Sequence, residues 1–184
     1  MDLPRFKYHP DPVATGSVKA SEVQCACCRQ VRGYIYTGPV YATAELDESL
    51  CPWCLADGTA HEKFAASFVD EAGVGGYDQW DAVPAEVVAE VAHRTPGFTG
   101  WQQEQWWTHC GDAAEFLGVA GYAELQEYGE EAVAFIRAAF SEESDLQGQE
   151  LDDAFQEFDR DHGPTAYVFR CRHCHKLGGY WDCH

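Results

Sequence analysis

Cys25 and Cys28, Cys51 and Cys54, and Cys171 and Cys174 each stand two residues apart. Thiols at that spacing bring both sulfurs to one point around a tight turn, and four such donors at tetrahedral corners suit zinc. Cys25, Cys28, Cys51 and Cys54 therefore make a complete ligand set, with Cys27 a spare thiol that can substitute for a neighbour. Cys171 and Cys174 need two more ligands. Cys110 is the nearest unused cysteine and His109 precedes it, so His109, Cys110, Cys171 and Cys174 form a Cys3His set that ties the middle of the chain to its end. Successive side chains on extended backbone point to opposite sides, so using both His109 and Cys110 requires a local twist. His173, His175, Cys183 and His184 are the alternatives for the fourth position. Two zinc ions are expected. A water in the fourth position of the second site would make it a candidate for catalysis.

Other cysteine chemistries fit less well. Cys51-Pro52-Trp53-Cys54 looks like a redox motif turned around, but a thioredoxin-like βαβ pattern is missing and the Cys25/Cys28 pair has no role in that scheme. An odd total of nine cysteines cannot pair off completely as disulfides. Met1 to Lys7 has neither an apolar signal core nor a cleavage site, so a reducing, cytoplasmic location is expected. There is no Gly-rich phosphate loop, no His-Glu-x-x-His and no serine in a nucleophile elbow.

The elements that must position these residues are short. Leu3 to Pro12 is proline-rich and reads as an extended arm packed by Phe6 and Tyr8. Val31 to Tyr36 is a β-prone run, with Val40-Tyr41-Ala42 expected to return beside it as a hairpin. Phe64 and Phe68 share a helical face after the second cysteine pair. Pro84 to His93 reads as a helix stopped by Pro96, and Asp112 as the cap of a short helix through Leu117. Acidic helical stretches are expected from about Tyr122 to Phe140 and from about Leu146 to Asp161, followed by strands around Thr165–Arg170 and Gly179–Trp181 that flank the last knuckle.

The order of knuckle, hairpin and paired ligands at a helix start is treble-clef-like, and the last knuckle is zinc-ribbon-like. The fold expected is α+β and zinc-stabilised, one domain over 1–184. It has a zinc lobe at about 20–70, a helical middle at about 84–162 and a C-terminal knuckle at 165–184 packing back on the middle. Hydrophobic residues at 46% and six tryptophans supply enough apolar material for a packed interior. No stretch reaches the roughly 18 to 20 apolar residues of a membrane helix.

Twelve Lys and Arg against 31 Asp and Glu give a formal net charge of -19. Nucleic acid is repelled at long range by such a surface, whereas a basic protein partner is attracted.

The motifs Leu3-Pro4-x-Phe6-Lys7-Tyr8-His9-Pro10, Tyr36-x-Gly38-Pro39-x-Tyr41, Cys51-Pro52-Trp53-Cys54 and Arg94-Thr95-Pro96-Gly97 stand together with Trp101-Gln102-Gln103-Glu104-x-Trp106, His109-Cys110-Gly111-Asp112 and Tyr167-x-Phe169-x-Cys171-x-x-Cys174. This pattern resembles the CbrC family of bacterial proteins along nearly the whole chain, least well between about Gly121 and Gly163. The resemblance implies two metal sites, leaves Cys183 and His184 outside the shared pattern, and implies an association with tolerance to an E-type colicin, a nuclease toxin.

The function expected is that of a non-enzymatic zinc protein acting through a protein partner, in toxin tolerance or a stress response. The rival expectation is an enzyme with an open second metal site, using His109, Asp112 or Glu104 as base beside the Trp101, Trp106 and Trp107 segment. A nucleic-acid-binding zinc finger is a third reading, opposed by the charge.

Overall fold

The computed structural model describes residues 2–183. The chain runs β1 (Val18–Ala20), β2 (Tyr34–Tyr36), α1 (Pro52–Ala56), α2 (Thr59–Phe64), a 3-10 turn (Glu71–Gly73) and α3 (Ala85–Arg94). There follow β3 (Thr108–His109), β4 (Asp112–Ala113), β5 (Glu115–Ala120), α4 (Tyr122–Tyr128), α5 (Glu130–Ser144), α6 (Gly148–Gln156), β6 (Thr165–Arg170) and β7 (Leu177–Asp182). This is a mixed α+β fold. No helix among the described residues is long and apolar enough to cross a membrane.

The largest sheet has the antiparallel order β5-β6-β7. Because side chains alternate across a strand, Tyr167, Phe169 and Tyr180 join one core with Phe98, Trp106 and Phe116, while Ala166 and Val168 join a second core under α4, α5 and α6. With both faces covered, five of the six β6 residues are buried. Gly179 is required where it stands: its φ is +151°, and a Cβ there would lie 1.9 Å from the Tyr167 carbonyl oxygen.

A third core surrounds the first cysteine group, with Tyr36, Leu50, Leu55 and Phe68. It is tied to the rest through Tyr36, whose hydroxyl donates to the Pro39 carbonyl at 2.8 Å and accepts from the Gly97 N–H at 3.1 Å. The N-terminal arm is seated as expected, with Phe6 and Tyr8 buried.

Three local expectations are corrected. Phe64 and Phe68 do not share a helix, because α2 ends at Phe64 with Ala65 left-handed at φ 49°. The partner of β2 is β1, which precedes the first knuckle, and Tyr41 instead bridges to Ser67. Asp112 caps no helix: it lies in β4, and Phe116 and Leu117 belong to β5, whose burial alternates along the strand.

Candidate metal centres

The first knuckle is a tight turn: Cys25 N–H donates to Gln30 O at 2.9 Å and Arg29 N–H to Cys25 O at 2.8 Å, with Arg29 left-handed at φ 61°. The last knuckle repeats it. Cys171 N–H donates to Lys176 O at 2.8 Å, His175 N–H to Cys171 O at 3.0 Å, and His175 has φ 62°. Sulfur receives an N–H in both places: Cys25 Sγ accepts from Cys51 of the second pair at 3.3 Å, and Cys171 Sγ from His173 inside its own turn at 3.4 Å. Such bonds favour thiolate over thiol.

Cys51 precedes Pro52, which starts α1 with φ already set for a helix and no N–H to lose, and Cys54 lies one turn inside. The sulfurs of Cys25 and Cys54 are 3.9 Å apart, those of Cys28 and Cys51 3.8 Å, and those of Cys51 and Cys54 3.6 Å. A tetrahedron of sulfurs at about 2.3 Å from zinc has edges of about 3.8 Å. The spacing fits the ion. All four ligand atoms lie within 4.8 Å of one another.

The second group is His109, Cys110, Cys171 and Cys174, also within 4.8 Å. The twist that two adjacent ligands demand is a two-residue hairpin: β3 and β4 pair His109 with Asp112, and Cys110 and Gly111 form the turn with φ 57° and 70°. Cys110 Sγ lies 3.9 Å from Cys174 Sγ, and His109 Nδ1 lies 3.2 Å and 3.5 Å from Cys110 Sγ and Cys174 Sγ. A tetrahedral edge between nitrogen and sulfur ligands of zinc is about 3.6 Å. Trp107 stacks on the His109 ring at 5.2 Å and helps to hold its plane.

Four thiols this close cannot all ionise without a cation, because like charges oppose one another. The hydrogen bond with Cys51 and backbone N–H groups hold Cys25 down at about 4, and the same pairing with Cys25, together with burial, pushes Cys51 up. Burial pushes Cys54 up to about 12. In the second group, burial pushes Cys171 up, but bonds from the Cys174 backbone and His109 outweigh it and leave Cys171 at about 6. A divalent ion would offset this opposition, its two positive charges letting all the sulfurs stand as thiolates around it.

The other candidates lie elsewhere. Cys27 Sγ faces Thr59 Oγ1 at 3.8 Å, His173 Nε2 meets Asp112 Oδ2 at 3.1 Å, and the Cys183 carbonyl accepts from Gln102 Nε2 at 2.9 Å. His175 is exposed in its left-handed turn, and His184 lies outside the described residues. Glu104, a candidate base, is buried and accepts from the Tyr41 hydroxyl and the Asp70 N–H; burial raises its pKa. Trp106 and Trp107 are core residues, and Trp101 is 39% exposed.

Sequence reasoning missed the role of Asp112. Its Oδ2 accepts from Arg172 Nη1 at 2.7 Å and meets His173, and its Oδ1 accepts from the Tyr8 hydroxyl at 2.7 Å. One carboxylate thus holds the two residues inside the last knuckle against the hairpin that carries His109 and Cys110. Burial pushes Asp112 up, yet Tyr8, Lys7 and Arg172 outweigh it and hold it below the usual range. The Gly111-Asp112 step after Cys110 was the available signal, since a left-handed Gly at a hairpin tip places Asp112 opposite His109.

A family model described as "Uncharacterised protein family (UPF0167)" matches residues 3–183. The chain belongs to the UPF0167 family. It is similar to the UPF0167 protein Mb2317 of Mycobacterium bovis, 47% identical over 175 residues covering 94% of this chain and 89% of that one. It is also similar to the UPF0167 protein PA1536 of Pseudomonas aeruginosa, 45% identical over 174 residues covering 94% and 92%. No solved structure matches. These findings correct the resemblance to CbrC: the matching family and the relatives carry the UPF0167 name, and nothing in them links the chain to colicin tolerance.

Proposed function

We propose that this UPF0167 chain is a non-enzymatic protein built on two structural zinc ions, and that it acts by binding another protein. Zinc at Cys25, Cys28, Cys51 and Cys54 joins the first knuckle to α1 in a treble-clef-like lobe. Zinc at His109, Cys110, Cys171 and Cys174 joins the β3–β4 hairpin to the ribbon formed by β6 and β7. The observation that carries the reading is the second group: it offers four protein donors within 4.8 Å of one another, His109, Cys110 and Cys174 near tetrahedral edge distances, whereas a catalytic zinc keeps a position for water. The candidate bases support it too, since Asp112 and Glu104 are already engaged by structural partners. A net charge of -19 supports a basic partner over nucleic acid and suits a chain of the cytoplasm, as do nine cysteines outside any disulfide.

The test is X-ray absorption at the zinc edge, with metal content, on protein purified without added metal. Two zinc ions per chain with only sulfur and one nitrogen scatterer are expected. A water oxygen on the second ion would replace this reading with that of an enzyme.

A further inference from the structure

We infer that the free edge of β7 binds an extended, basic segment of a partner protein as an added β-strand; this deepens the protein-binding reading above and rests on it. β7 is the outer strand of its sheet. The bond from Cys171 N–H to Lys176 O, with the pairs Phe169–Gly178 and Tyr167–Tyr180, sets the alternation of the ladder. In that alternation Leu177, Gly179 and Trp181 turn their backbone N–H and C=O away from β6. Leu177 N–H is taken by Glu131 Oε2 at 3.3 Å. Gly179 and Trp181 instead open onto a cleft of about 650 Å³. Exposed edges are ordinarily blocked, and one left open beside a cleft is a template for a further strand.

The cleft walls state the chemistry of the occupant. On α5, Ala138 and Ala139 present little bulk, so a peptide backbone can approach. One turn further on, Glu142 and Glu143 place two exposed carboxylates at the Trp181 end. Trp80 and Trp181 add aromatic surface beside them, the setting in which a lysine or arginine is held by charge and ring together. Lys176 lies over the Phe135 ring at 5.8 Å, at the opposite, Leu177 end. The cleft is therefore polar along its length, and a basic side chain belongs at the Trp181 end. Gln105 Oε1, on a lining residue, is shielded from water without a hydrogen-bond partner, and the Trp181 indole N–H faces the Glu143 carboxylate. The wall does not satisfy itself.

The test uses the full, zinc-loaded chain and a labelled heptapeptide of alternating lysine and valine. Saturable binding is expected, with slowed amide exchange at Gly179 and Trp181. Affinity should fall roughly tenfold in the Glu142→Gln, Glu143→Gln double variant and be lost in Ala138→Arg. A peptide N-methylated at every backbone nitrogen keeps its charge but loses its donors, and should not bind. Equal binding of that peptide would show mere charge capture and overturn the proposal, as would no saturable binding of the parent peptide. A concentration-dependent dimer abolished by Ala138→Arg would also overturn it, by assigning the edge to a second copy. Zinc content measured on the same samples separates the two readings: two ions with no peptide bound sinks this inference alone.

Discussion

Asp112 and Arg172 meet at 2.7 Å, joining the residue beyond the β3–β4 turn to the first residue inside the Cys171–Cys174 knuckle. The two halves of the second metal group come from segments some sixty residues apart, and this ion pair holds them in register beside the ligands. Partners beyond the ligands fix ligand orientation, and their loss typically weakens a metal site by about 10- to 100-fold.

Asp112→Asn should therefore release one zinc to a chromogenic chelator about tenfold faster or more, leaving the other ion's release unchanged. The amide keeps a hydrogen-bond acceptor but loses the charge that holds Arg172. Biphasic release with only one phase altered is the expected record. Unchanged release would mean that Asp112 serves only Tyr8 and the core.

How far the cysteines could be read before the fold was known follows from chemistry. Two-residue spacing leaves few ways to combine the pairs, so the first group and the thiols of the second were legible. The fourth member of the second was not, because several histidines and Cys183 were open to it and only the hairpin turn at Cys110 and Gly111 brings His109 alongside. The strand partner of Tyr34–Tyr36 was not, because β1 is three residues long with no alternation to betray it. Pro39, which has no N–H, instead supplies its carbonyl to Tyr36. Phe116 and Leu117 were misread for a different reason. Ala113, Ala114, Phe116 and Leu117 satisfy a helical spacing, but tertiary packing overrides it: the Phe116 ring stacks on Phe98 at 3.9 Å, and Gly118 breaks the strand register with φ +147°.

With both ions in place, seven of the nine cysteines are ligands, and the two left over are Cys27 and Cys183. A thiol reagent under native conditions should titrate two thiols rapidly, rising to nine with chelator and denaturant. Mass mapping should place the early label on Cys27 and Cys183. Early labelling of Cys110 or Cys174, the exposed members of the second group, would mean that its ion is not held.

The two sites differ in what depends on them. Cys51 is 1% exposed and sits among Leu50, Leu55 and Phe68, so its ion is continuous with a hydrophobic core. Cys51→Ser should lose one zinc and destabilise the chain by about 4 kcal/mol or more, because metal binding there is part of folding. Cys174, at the surface, is the contrasting case. Cys174→Ser should also lose one zinc but cost only about 1–2 kcal/mol, with far-ultraviolet dichroism unchanged. Equal thermal destabilisation by the two variants would contradict this division.

His9 gives a pH dependence separable from the metal. Its Nδ1–H donates to the Pro96 carbonyl at 2.7 Å, and its Nε2 accepts from the Thr15 hydroxyl at 2.7 Å, in a pocket closed by Trp106 and Phe116. Burial outweighs the Pro96 bond and holds the imidazole at about 4, against 6.5 when unfolded. Above pH 6.5 the ring is neutral in both states and its contribution is complete. As the pH falls below 6.5 the unfolded chain takes up a proton that the folded one refuses, so stability drops until the folded ring also protonates near 4. The loss between about pH 7.5 and 5 is about 2 kcal/mol. Urea unfolding of the zinc-loaded protein should show it, and His9→Gln should flatten that portion of the profile while leaving any acid release of zinc in place. A profile identical in the two proteins would assign the acid sensitivity to the thiolates alone.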